Sequence, residues 1–192
     1  MFKRILAAAL LMAGLQAEAK TIDTPIINLG EMQDTIMGEV GIMGLPWKIG
    51  EVANYNLDMG FIKGTAVMRV REEVADGFWL DQDMDLGFMG KQKIEALIDK
   101  NTGQILQLIV NGQKQNPPQP GNTEIEETKQ DRITVPAGTF DCIYARIKDL
   151  DKNQSSEAWI NPSIVPIAGM IKQIAPGPMG NVTMELTSFT KL

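Results

Sequence analysis

The chain has 192 residues with 18 basic and 24 acidic side chains, a formal charge of −6, one cysteine and no histidine. The missing histidine excludes Ser-His-Asp and Cys-His catalysis, histidine-ligated zinc or copper, and the usual general base near neutral pH. The acidic balance speaks against nucleic acid or anionic lipid surfaces as main partners, since both select for an excess of Lys and Arg.

Residues 1–19 read as a cleavable secretory signal peptide. Lys3 and Arg4 precede an uncharged apolar run from Ile5 to Leu15, and Ala17-Glu18-Ala19 supplies the small-x-small cleavage pattern. The run is too short for a bilayer, which needs about 20 residues. No cysteine stands at the cleavage site for a lipid anchor. Cleavage after Ala19 leaves 16 basic and 23 acidic side chains, a charge of −7, on a soluble exported chain. About 170 residues suffice for one domain with a real core. The expected compartment is the periplasm, or the extracellular medium, with no integral membrane anchor.

Residues 20–45 form a lead-in segment. Thr24-Pro25 is a helix N-cap and first-turn pair, and Leu29, Met32, Ile36 and Val40 recur at helical spacing, although Gly30 and Gly38 weaken the helix. From residue 46 to 192 the pattern is that of strands. Tyr55, Leu57, Met59 and Phe61 alternate with polar or small residues, then Ala66, Met68 and Val70 follow the Lys63-Gly64 turn. Asp76-Gly77 is a hairpin signal, and Phe78, Leu80, Met84 and Leu86 continue the alternation. Ile94, Ala96 and Ile98 lead into the turn Asn101-Thr-Gly103. The apolar run Ile105 to Val110 predicts a returning strand buried on both faces.

Asn116-Pro-Pro-Gln-Pro-Gly121 is a rigid loop that cannot continue a ladder. Strands are expected at Thr123–Val135, about 140–149, 155–160 and 181–191, with turns at Pro136-Ala-Gly138 and Asp151-Lys-Asn-Gln154. Ile164 to Met179, punctuated by Pro166, Gly169, Pro176, Gly177 and Pro178, reads as a short helix or a loop over the sheet. Eight to ten antiparallel strands with short connections mean a barrel, half-barrel or sandwich. The lone Cys142, within Phe140-Asp-Cys-Ile-Tyr144, is expected to be buried on a strand.

Trp47-Lys-Ile-Gly-Glu51, the strand Tyr55 to Gly60 and Gly64-Thr-Ala-Val-Met-Arg-Val70 resemble the opening hairpin of a family of uncharacterised bacterial periplasmic domains. That family is grouped with the LolA/LolB lipoprotein-carrier superfamily. Val135-Pro-Ala-Gly-Thr-Phe-Asp-Cys142 and Ser156-Glu-Ala-Trp-Ile-Asn-Pro162 resemble its later turn and its tryptophan-bearing bend. The resemblance covers roughly residues 46–190 and implies a mainly β fold. That fold is a single strongly curved antiparallel sheet, a half-barrel or open barrel, covered by one or two short helices or loops around an apolar cavity. It implies no catalytic residues.

Asp81-x-Asp83-x-Asp85 fails as a calcium loop, because the sixth and twelfth positions hold Leu86 and Gln92. Spacing of two places the three carboxylates on a solvated outer face, and Glu124, Glu126 and Glu127 read the same way. Paired carboxylates for glycan cleavage need an apolar setting for one of them, and aromatics are only 6%, too few for sugar platforms. Ten methionines follow the leader, without the Met-x-x-Met spacing of a thioether copper site; they suit either core filling or an adaptable apolar surface. The apolar loops Gly87-Phe-Met-Gly90 and Ile164–Ile174 are either a ligand mouth or lids on the core. The expectation is a non-enzymatic binding or carrier protein without cofactor or metal. Trp47, Met59, Phe61, Met68, Met84, Trp159 and Met170 would contact a lipid or other apolar ligand. The alternative is a structural or interaction module with a protein partner in the envelope.

Overall fold

The computed structural model describes residues 45–117, 122–177 and 180–192. The signal peptide, the lead-in segment up to residue 44 with its helical spacing, and the centre of the proline-rich loop lie outside the described residues.

The strands are β1 Val52–Asp58, β2 Lys63–Glu73, β3 Gly77–Asp85, β4 Lys91–Asp99, β5 Ile105–Val110, β6 Gln113–Gln115, β7 Thr123–Val135, β8 Gly138–Asp149, β9 Gln154–Ile160, β10 Met170–Gly177 and β11 Gly180–Thr190. All belong to one antiparallel sheet in the order β6-β5-β4-β3-β2-β1-β11-β10-β9-β8-β7. The sheet does not close, because β6 and β7 are its two ends. Its curl is nonetheless strong: the Ala137 N–H, in the β7–β8 turn, donates to the Leu186 carbonyl of β11 at 3.0 Å, although three steps of the ladder separate β8 from β11. The only helical pieces among the described residues are two single turns, Gly87–Met89 and Ile167–Gly169.

The strands form where the alternation dictates. Ala53, Tyr55 and Leu57 of β1 are buried between more open neighbours, as are Ala66, Met68 and Val70 of β2. These side chains join Phe78, Leu80, Met84, Ile94, Leu108, Ile160, Ile171, Met184 and Leu186 in one continuous core on one face of the sheet.

Three expectations change. Among the described residues there are eleven strands, because Asn111-Gly112 turns the chain into the short β6. Both residues have positive φ, 51° and 79°, the geometry of a two-residue hairpin turn. Strand β5 is buried on one face only, with Leu108 and Val110 inside and Leu106 exposed; an apolar run can line a half-exposed strand near the edge of a sheet. Ile164–Met179 is not all helix or loop: residues 164–169 are a turn closed by the single helical turn Ile167–Gly169, and strand β10 follows. Its Pro176 lies beyond Ile174, the last residue paired with β9, so the strand is bonded on one side only where proline lacks its N–H. The Asp76-Gly77 hairpin joins β2 to β3 as expected, and at Gly77 the Ile98 carbonyl occupies the place where a Cβ would stand.

Candidate functional site

Five of the seven residues expected to face a ligand meet in the core. Trp47, Met59, Met68, Met84 and Met170 are all buried, and Met68 and Met170 are 0% exposed. Their surroundings are therefore side chains rather than solvent. Two residues lie elsewhere. Phe61 is 74% exposed, because β1 ends at Asp58 and the alternation does not carry through the turn that follows. Trp159 is half-buried on the opposite face, tilted against Tyr144 at 5.1 Å, with its indole N–H donating to Asp131 Oδ2 at 2.8 Å. That bond holds the Asp131 carboxyl below its usual range.

Polar groups inside the core are mostly satisfied. The Tyr55 hydroxyl donates to the Met170 carbonyl at 3.1 Å, and burial pushes its phenol far above the ordinary value. Gln82 donates to the Met84 sulfur at 3.4 Å. Glu51, 1% exposed, accepts the Lys48 N–H at 3.2 Å and the Leu192 N–H at 3.4 Å, so a buried carboxylate ties the start of β1 to the C-terminal residue. Sequence reasoning missed Glu51: nothing distinguishes a glutamate at a strand entrance from a solvated one. Among the described residues the Trp47 indole N–H is the exception, being buried without a partner. It borders a cleft of about 20 Å3, the room of a single water, formed with Pro46, Glu51, Pro162, Pro166 and Lys191.

The outer face carries ion networks. Asp83 is exposed and Asp85 is 3.4 Å from Lys91, as a solvated face requires. Asp81 departs from that expectation at 8% exposed. Arg71 Nη1 lies 2.9 Å from Asp81 Oδ1 and 2.6 Å from Glu95 Oε1, with its guanidinium 5.1 Å from the Trp79 ring. Desolvation raises the Asp81 carboxyl above its usual range despite Arg71, whereas the Arg71 hydrogen bond lowers that of Glu95. Around Tyr144, Arg146 and the phenol share Glu157 at 2.9 Å each, and Lys129 stands 4.7 Å from the ring. Glu126 and Glu127 take part in exposed pairs with Lys148 and Lys129. Among the described residues no three His, Cys, Asp or Glu side chains gather as a metal site, and no helix is long and apolar enough to cross a membrane. Cys142 is buried, and desolvation pushes its thiol up to about 11.

No family model matches the chain, and no curated protein matches it significantly. Two solved structures are similar over most of their length. One, from Bacteroides fragilis, is assigned as an exported protein with a YmcC-like fold; it is 13% identical, with a TM-score of 0.42, covering 78% of this chain and 99% of its own. The other, from Parabacteroides distasonis, is assigned as a lipoprotein; it is 15% identical, with a TM-score of 0.40, covering 76% of this chain and 97% of its own. Neither likeness reaches the lipoprotein-carrier superfamily.

Proposed function

We propose that this is an exported, non-catalytic interaction module of the bacterial cell envelope, whose curved sheet is a packed scaffold. The observation that carries the reading is the complete burial of the inner apolar face, Met68 and Met170 included. A carrier of an acyl-sized ligand needs several hundred Å3 of open interior. The leader at residues 1–19 supports export, and the absence of histidine with a buried Cys142 supports a role without covalent or general-base chemistry.

Cross-linking in intact envelopes followed by delipidation is the test. A specific protein partner that survives delipidation supports the module; a chain that cross-links to nothing overturns it.

One observation favours the carrier as a second reading. Met59, Met68, Met84, Met170 and Met184 all belong to the core of a sheet that is not closed, and methionine repacks readily around varied shapes. Native mass spectrometry of protein taken from its own envelope separates the two, since a carrier retains an acyl-sized mass.

A further inference from the structure

Two hairpin tips at the same end of the sheet each project a phenylalanine. Phe61 lies between β1 and β2 and is 74% exposed; Phe88 lies between β3 and β4 and is 80% exposed. The tips are immediate neighbours. β2 and β3 pair at Thr65 and Asp85, and a Cβ on Gly87 would come 3.6 Å from the Lys63 carbonyl. The phenylalanines are not core residues lacking room. Each loop is pinned by its own buried residue, Ile62 in one and Leu86 in the other, so the turns direct the rings outward. Among the described residues nothing lies within 4 Å of a Cβ position at Gly60 or Gly90, so both tips stand clear of the sheet.

Three further features fit the tips to a lipid interface. First, the loop N–H groups are largely used internally. Met59 donates to the Ile62 carbonyl at 2.9 Å, Leu86 to that of Gly90 at 2.9 Å, and Gly90 to that of Gly87 at 3.0 Å. Gly60 and Gly87 donate to the carboxylates of Asp58 and Asp85 at 2.9 and 3.0 Å. Backbone satisfied in this way enters a water-poor layer cheaply. Second, each tip carries a balanced ion pair at its base, Asp58 with Lys63 and Asp85 with Lys91. The collar is neutral, and its two exposed lysines have stems long enough to keep their ammonium groups among head groups. Third, the contact is two protruding rings rather than a flat patch, a shape suited to a soft interface.

We infer that the Phe61 and Phe88 tips insert shallowly into the interfacial layer of a zwitterionic bilayer, docking the sheet end-on. Zwitterionic lipid is specified because the collar is neutral while the whole chain is net negative, so anionic lipid repels the body. The inference goes beyond the interaction module, and because purified protein and lipid suffice for its test, the two readings fail separately.

The test is co-flotation of purified protein with vesicles of phosphatidylethanolamine and phosphatidylcholine. The expected result is a floating fraction that shrinks when anionic phosphatidylglycerol replaces part of the lipid. Phe61→Ser with Phe88→Ser should keep the parent's thermal midpoint and lower the partition coefficient by about tenfold or more, given the apolar area two rings would bury. As a readout independent of that variant, Phe88→Trp should show a blue-shifted emission increment over the parent on the same vesicles. Absence of flotation, equal flotation of the double variant, or an increment unchanged by vesicles would each overturn the proposal.

Discussion

Replacing Arg71 by methionine probes how the outer face holds a poorly solvated carboxylate. The substitution keeps most of the aliphatic stem but removes the cation bonded to Asp81 at 2.9 Å and to Glu95 at 2.6 Å. Asp81 is largely buried, so the variant leaves a carboxylate with little solvent and its closest cation gone. Loss of one partner of a buried pair costs about 3–5 kcal/mol. Because Arg71 is about a third exposed, solvent screening reduces this, and about 2–3 kcal/mol near pH 7 is expected.

The pH dependence has a definite sign. Asp81 already titrates above its unfolded value through desolvation, and losing Arg71 raises it further, so the cost of ionising it in the folded state grows as pH rises. Glu95 titrates below its unfolded value chiefly through the Arg71 hydrogen bond. That stabilisation is present above the unfolded pKa and fades as pH falls through the folded one, and the variant lacks it. Both effects make the deficit largest near neutrality and shrink it on acidification. At pH 4 the deficit has narrowed toward the loss of the stacking on Trp79 at 5.1 Å, about 0.5–1 kcal/mol. Urea unfolding of parent and variant at the two pH values measures this directly. An equal deficit at both would refute the electrostatic account and leave packing alone.

Other outcomes follow from the core. Trp47→Phe should leave urea stability unchanged or raise it by up to about 1 kcal/mol, because the indole N–H it deletes has no partner among the described residues. Met68→Ala, at a fully covered position, should cost about 2–5 kcal/mol in the same assay. Gly77→Ala should abolish soluble expression or destabilise severely, since its Cβ would overlap the Ile98 carbonyl. With its thiol pushed up to about 11, Cys142 should react with an aromatic disulfide reagent near pH 8 only at the rate at which the chain opens, a rate that rises with urea.

Much of the sheet could be read in advance, because a half-buried strand writes its period into the chain. Ala66, Met68 and Val70, or Leu80 and Met84, announce one buried face whatever lies around them. What escaped reading depends on neighbours remote in sequence. Ile164–Met179 carries prolines that mark a loop unless the extent of β9 is known, and the proline cluster beside Asn111-Gly112 hides the short hairpin there. Alternation from Tyr55 points Phe61 inward only if β1 runs past Asp58, where it ends, and size alone does not say which face of β9 carries Trp159. Its tie to Asp131 joins residues 28 apart, and no local pattern records that. The burial of Asp81 likewise needs Arg71 and Glu95 from the two flanking strands.

The order of the strands has one more consequence. Within β1 to β6 every strand pairs with its predecessor, and the same holds from β7 to β11, so the chain is two consecutive meanders. They join edge to edge only where β1 lies along β11, a seam that includes Leu57 opposite Met184. The covalent link between them, from β6 to β7, runs from one extreme of the sheet to the other. Each half can assemble from local contacts, while the seam closes last and over the greatest loop. A chain cut at that link should therefore yield two fragments that find each other through the β1–β11 seam. Their association constant would measure how much of the protein's stability resides in that seam together with the core the two halves share.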